Sequence, residues 1–181
     1  NFKNQPLIYH FPKKFNGTLN KVNNKRVKAA VIREKGSNSE REMAYALDLA
    51  GFDVKDVHMT DLISGRENLE EINFIIAVGG FSNSDVLGSA KGWAGSFLYN
   101  EKAKKSLMNF YRRKNTLSLG VCNGCQLFIE LGLLHTEHKE KPYMTHNDSK
   151  KFECIFTTIE IQKNHSICLL YTSDAADEVV S

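Results

Sequence analysis

The segment LSLGVCNGCQLF, Leu117 to Phe128, sets two thiols, Cys122 and Cys125, three positions apart and places a glycine two residues to either side of the first. Three chemistries use thiols in this way: a dithiol redox pair, part of a thiolate metal site, or a turn that presents one nucleophile. A redox C-x-x-C sits early in its fold, at the helix start after the first long strand. Here the pair follows three candidate strand–helix units. A zinc site needs more ligands. There is no second C-x-x-C, and Cys154 and the histidines stand at no metal spacing, so no metal site is expected.

The third reading fits the neighbours. Gly120-Val121-Cys122-Asn123-Gly124 is G-x-C-x-G between an apolar run and a helical pattern. A nucleophile at a sharp strand-to-helix turn occupies strained backbone, and flanking β-carbons would collide there. The turn also puts the thiol at a helix N-terminus, where aligned peptide dipoles favour the thiolate. The amide of Asn123 can then face a developing oxyanion. Cys125, one turn further on, reads as a packed structural thiol. A second glycine pair, Gly79-Gly80 in VGGFSNSDVLG, also ends an apolar run and can offer amides to an anionic oxygen. On the residues alone, two other readings stay open: a dithiol protein using Cys122 and Cys125, and a docking domain that keeps the fold without the chemistry.

The elements that would position these groups alternate. Arg26–Ile32 and Thr116–Val121 read as buried strands, and so does the apolar run Asn73–Gly80. Phe52–Met59 alternates like a strand, as does Phe152–Ile161 near the end. Ser39 and Glu42 fit a capping box opening a helix with Met43, Ala46, Leu47 and Ala50 on one face and Gly51 at its end. Trp93–Arg113 reads as one long helix, and Asn123–Gly132 as a helix stopped by its glycine. The fold class expected is α/β: a flavodoxin-like, mostly parallel sheet with helices on both faces and ligands at the carboxyl ends of its strands.

Composition excludes several classes. The 181 residues are 41% hydrophobic, carry a formal charge of +3 with both signs interspersed, and suit one domain with a real core. Nothing marks a nucleic-acid footprint or a membrane span. Four cysteines without a framework pattern read as reduced thiols, which points to the cytoplasm. The chain starts with Asn and reads as a piece of something longer, with residues 1–25 a linker or tail of an upstream portion.

REKGSN, VHMTDL, GGFSNSDVLGSAKGWAGS, LGVCNGCQL and HNDSKKFE, collinear from Arg26 to Ile161, together resemble the glutamine amidotransferase domains of phosphoribosylformylglycinamidine synthases. The resemblance implies a class I amidotransferase fold over residues 26–168 and hydrolysis of L-glutamine by way of a glutamyl thioester on Cys122. It implies an oxyanion held by backbone amides near Gly80, Phe81 and Asn123. Gly79, Gln126, Asn147 and Ser149 would line or shape the glutamine pocket. No cofactor is implied in this domain. Ammonia would pass to a synthetase portion of the same polypeptide, which uses ATP and Mg, in purine biosynthesis.

Three departures from the family pattern stand out. Asn83-Ser84 replaces the usual Tyr-Gly after GGFS. Ser149-Lys150-Lys151-Phe152-Glu153 replaces S-x-R-F-E, and lysine lacks the guanidinium fork. The S-H-G-E-G-R segment that carries the family's catalytic His and Glu has no counterpart, and residues 169–181 fit no family element and read as a non-native tail. The chain by itself is therefore expected to turn over poorly, since general acid–base assistance is typically worth ~10²–10⁴-fold.

Overall fold

In the computed structural model, which describes residues 26–134, 136 and 139–155, four strands pair in parallel in the order β3-β1-β4-β6. β1 is Lys28–Arg33, β3 Asp53–His58, β4 Phe74–Ala77 and β6 Leu117–Gly120. The register aligns Ala29 with Val54 and Phe74, and Ile76 with Leu119. Each strand runs straight into a helix or a turn at its carboxyl end, so the ends of β4 and β6 lie side by side. That is the parallel α/β arrangement expected from the alternating pattern. The linker at 1–25, the tail at 169–181, Cys168, and His10, His135, His138 and His165 lie outside the described residues. So does the 156–161 part of the expected last strand, whose described part, 152–155, is not strand.

The sheet alternates faces with period two. Ala30, Ile32, Val57, Ile75 and Ala77 point into one buried cluster with residues from four helices. Those helices are α2 (Met59–Ser64), α3 (Lys91–Leu98), α4 (Glu101–Arg112) and α5 (Asn123–Glu130). Trp93, Phe97 and Phe110 are its largest buried side chains. Ala29, Val31, Ile76 and Val78 face the other way and are covered by Leu47 of α1 (Glu40–Leu49). α1 buries the stripe Met43, Ala44 and Leu47, while Ala46 and Ala50 are exposed. The anticipated face is therefore rotated by part of a turn, because among the described residues α1 alone touches this side of the sheet, through a narrow stripe.

Other elements differ from the sequence reading in instructive ways. Ser39 does precede α1, but its φ is +72°, its side chain caps nothing, and its own amide donates to Asn38 Oδ1 at 2.8 Å. A capping box forms instead at His58, which the sequence did not mark. The Thr60 amide donates to its Nδ1 at 3.2 Å, while its own amide donates to Asp61 at 3.2 Å. This histidine thus opens α2, a helix that directly follows β3. The expected long helix is two helices, α3 and α4. Asn100 breaks it by capping α4, its Oδ1 accepting from the Ala103 amide at 3.0 Å. Leu117 and Leu119, read as buried, are 53% and 38% exposed. β6 is the last strand of the described sheet, and no described helix covers it on the α1 side. Gly51 and Gly132 end α1 and α5 with φ of +92° and +65°, as expected. Among the described residues no helix is long and apolar enough to cross a membrane.

The box at His58 gives a pH-dependent expectation. The Asp61 carboxylate also accepts from Arg66 at 2.7 and 3.0 Å. Its hydrogen bond with Arg66, helped by the His58 amide, holds its pKa below the usual carboxylate range. A lowered folded value stabilises above the unfolded value of about 3.9, and that contribution disappears as pH falls from there through the folded value. Asp61→Ala is expected to cost about 1 kcal/mol at neutral pH. The difference in melting temperature from wild type should close on acidification. A gap that persists unchanged at pH 2 would show that the charge plays no part.

Candidate functional site

The site is built where the ends of β4 and β6 meet. At the end of β6 the chain turns sharply into α5 with Cys122 as the residue before the helix, at φ +54° and ψ −110°. A side chain other than glycine rarely holds such a backbone, and the strain is of order 1–3 kcal/mol. The surrounding structure over-determines the turn. Val121 N donates to Ala77 O at 3.0 Å, Gly124 N to Val121 O at 2.9 Å, and Gln126 N to Cys122 O at 3.1 Å. A Cβ on Gly120 would stand 2.6 Å from Gly124 O, and one on Gly124 would stand 2.0 Å from Ala77 O. The two glycines flanking the thiol are thus required by close approach of backbone. Cys122 is exposed and its thiol free, and Cys125 is free and half-buried.

The second glycine pair reaches the same place. A Cβ on Gly79 would lie 3.4 Å from Cys122 Cβ and 4.0 Å from its Sγ, so the glycine leaves room against the thiol. Gly79–Gly80 forms a two-residue strand, β5, antiparallel to β2 at Ser37–Asn38. This small ladder could not be read from the sequence, because neither partner has strand-like composition. It assigns the amides. Phe81 N donates to Gly36 O at 2.9 Å and is engaged there, so it is not the oxyanion donor expected of it. Ser37 and Gly80 face each other across this ladder, with Gly80 at φ +103° and packed against the β2 backbone. Asn123 N begins α5, where helix amides have no intrahelical acceptor. Asn123 N, in the first turn of α5, is a backbone donor next to the thiol.

Beyond Gly80 the chain passes through a tight 3₁₀ turn, Ser82–Asp85, in which Asn83 and Ser84 have φ of +53° and +58°. Serine holds a left-handed position here where the resembling family has glycine. The turn is pinned by Asn83 N to Lys35 O at 2.7 Å and by Ala90 N to the Asp85 carboxylate at 3.0 Å.

The Asn123 side chain is buried and links the two glycine sites. Its Oδ1 accepts from Ser82 Oγ at 2.6 Å and from Ser82 N at 3.2 Å, and its Nδ2 donates to Gln126 Oε1 at 2.9 Å. Ser82 was not singled out in the sequence, although it is the serine of GGFS. Gln126, half-buried, is oriented by that bond rather than free.

The remaining two residues, Asn147 and Ser149, belong to a second unit, Thr145–Ser181. They form a turn closed on itself: Asn147 Nδ2 donates to Lys151 O at 2.9 Å, and Lys150 N to Asn147 O at 2.8 Å. His58 is engaged in capping α2, as described above.

Residues 26–177 match the family described as the CobB/CobQ-like glutamine amidotransferase domain. The solved structure of PurLQS from Thermotoga maritima is similar, with a TM-score of 0.56 and 30% sequence identity. The likeness covers 72% of this chain and 53% of that one. The chain thus spans about half the length of that relative.

Proposed function

The chain belongs to the CobB/CobQ-like glutamine amidotransferase family, and from that premise we propose that it is the glutaminase portion of an ATP-dependent phosphoribosylformylglycinamidine synthase. The observation that carries the reading is Cys122 itself, an exposed thiol on strained backbone at the start of α5. The sulfur adds to the side-chain carboxamide carbon of glutamine. Gly80 N and Asn123 N hold the oxygen as it becomes an anion, and ammonia leaves to give a glutamyl thioester. Water then cleaves the thioester and releases glutamate. Gly79 leaves room for the substrate's side chain against the sulfur. The residues of the synthetase portion, not of this chain, bind ATP and Mg and consume the ammonia. Support for the particular ligase comes from the GGFS and GVCNGCQ motifs and the likeness to PurLQS.

The test uses the full-length polypeptide carrying this chain, assayed for ligation with glutamine and, separately, with ammonium salt. Cys122→Ser is expected to abolish glutamine-driven ligation and leave ammonia-driven ligation intact. Full glutamine-driven activity in that variant would sink the assignment.

A further inference from the structure

The two amides assigned to the oxyanion under the proposed function, Gly80 N and Asn123 N, come from segments far apart in sequence, and each segment is held in backbone it would not adopt alone. Gly80 has φ of +103° and is followed by the left-handed Asn83 and Ser84, while Cys122 is at +54°. A shift of either segment would separate the donors from the point where the oxyanion forms. The Asn123 side chain bridges them directly and is shielded from solvent, being 1% exposed. Its carboxamide oxygen takes both the amide and the hydroxyl of Ser82, forty-one positions away, and its nitrogen fixes Gln126. Ser82 is likewise 1% exposed, so the hydrogen bond between them is shielded from water.

We infer that the Asn123 side chain, through Ser82, is a positioning device that sets the distance between the Gly80 and Asn123 amides around the oxyanion. This rests on the glutaminase reading. A neutral carboxamide suits the task. It supplies acceptor and donor in one rigid group, whereas an aspartate would put a second negative charge beside the developing anion. The bonds hold the loop after β4 to the first turn of α5, so loosening them affects the transition state, in which the oxygen carries charge, more than the bound substrate.

The experiment compares Ser82→Ala and Asn123→Leu with wild type in the full-length polypeptide. Ser82→Ala removes only the hydroxyl donor and retains the amide one, so it reports even if the second variant unfolds. Four readouts are taken: kcat and KM for glutamine, the rate of Cys122 labelling by a chloromethyl ketone analogue of glutamine, and the rate of labelling by iodoacetamide. Sulfur adds to the ketone carbon, leaving the oxygen as an anion, before chloride is displaced, whereas iodoacetamide is attacked at a saturated carbon, loses iodide and needs no oxyanion donors. The expected result is a fall of roughly 10- to 100-fold in kcat and in ketone labelling together, with KM and iodoacetamide labelling within about threefold of wild type. If iodoacetamide labelling falls in proportion, or if kcat falls while ketone labelling does not, the bond is merely structural and the proposal fails. Cys122→Ala run alongside separates the two readings: glutamine hydrolysis surviving in it overturns the glutaminase assignment itself, whatever the Ser82 and Asn123 variants do.

Discussion

Alanine at position 124 is expected to disrupt the elbow and abolish glutamine hydrolysis by the full-length polypeptide, a large effect for one added methyl. The new Cβ would stand 2.0 Å from Ala77 O and 2.5 Å from Ala77 C. Both are backbone atoms at the end of β4, and Ala77 O already holds Val121 N at 3.0 Å. No rotamer change relieves the collision, so the ends of β4 and α5 must part. A cost of about 3 kcal/mol is expected, a fall in Tm of roughly 10 °C for a chain of this size. Displacement of the thiol by even ~1 Å should reduce turnover more than ~100-fold. Gly95 provides the control. It lies inside α3, where an added Cβ meets only Tyr99 side-chain atoms at 3.7 Å or beyond. Gly95→Ala should therefore stabilise by up to ~1 kcal/mol through helix propensity. If the two substitutions shift the melting temperature alike, close approach at Gly124 is not the reason for its glycine.

The second large effect has opposite signs for activity and stability. Cys122→Gly removes the proposed nucleophile, and glutamine-dependent turnover of the full-length polypeptide should fall by roughly 10⁴-fold or more. The same change relieves the strain at φ +54°, ψ −110°, worth ~1–3 kcal/mol. Glycine's greater freedom in the unfolded chain offsets ~0.4–1 kcal/mol of that. Because Cys122 is exposed, little packing is lost. The expected outcome is a melting temperature above that of wild type, and above that of Cys122→Ala, which loses the thiol but keeps the strain. Equal melting of the Gly and Ala variants would mean that the backbone at 122 is not strained in solution.

The misses in the sequence reading share a cause. The long amphipathic run through Trp93–Arg113 kept its helical period across Tyr99, so nothing in the pattern marked the break. Asn100 decided it by capping α4, a choice that depends on α3 and α4 packing as separate bodies. Ser39 and Glu42 had the spacing of a capping box, but the antiparallel pairing of Ser37–Asn38 with Gly79–Gly80 precedes the helix so closely that Ser39 is turned to φ +72°. His58 took a role that local preference assigns to Ser, Thr, Asp or Asn. Leu117 and Leu119 had the composition of a buried strand, yet exposure depends on which neighbours cover a strand, and composition does not say.

By itself the sequence placed the four parallel strands, the glycine sites at the ends of two of them, and a thiol in the second of those turns. These follow from hydrophobic period and from the steric needs of a turn, both of which act over a few neighbouring residues. Only the tertiary structure decided that Gly79 lies against Cys122, that the Phe81 amide is taken by Gly36 O, and that Asn123 joins the two segments through Ser82. Each of these turns on the register between segments distant in the chain. That register is fixed by long-range hydrogen bonds and packing, to which local residue preferences are blind.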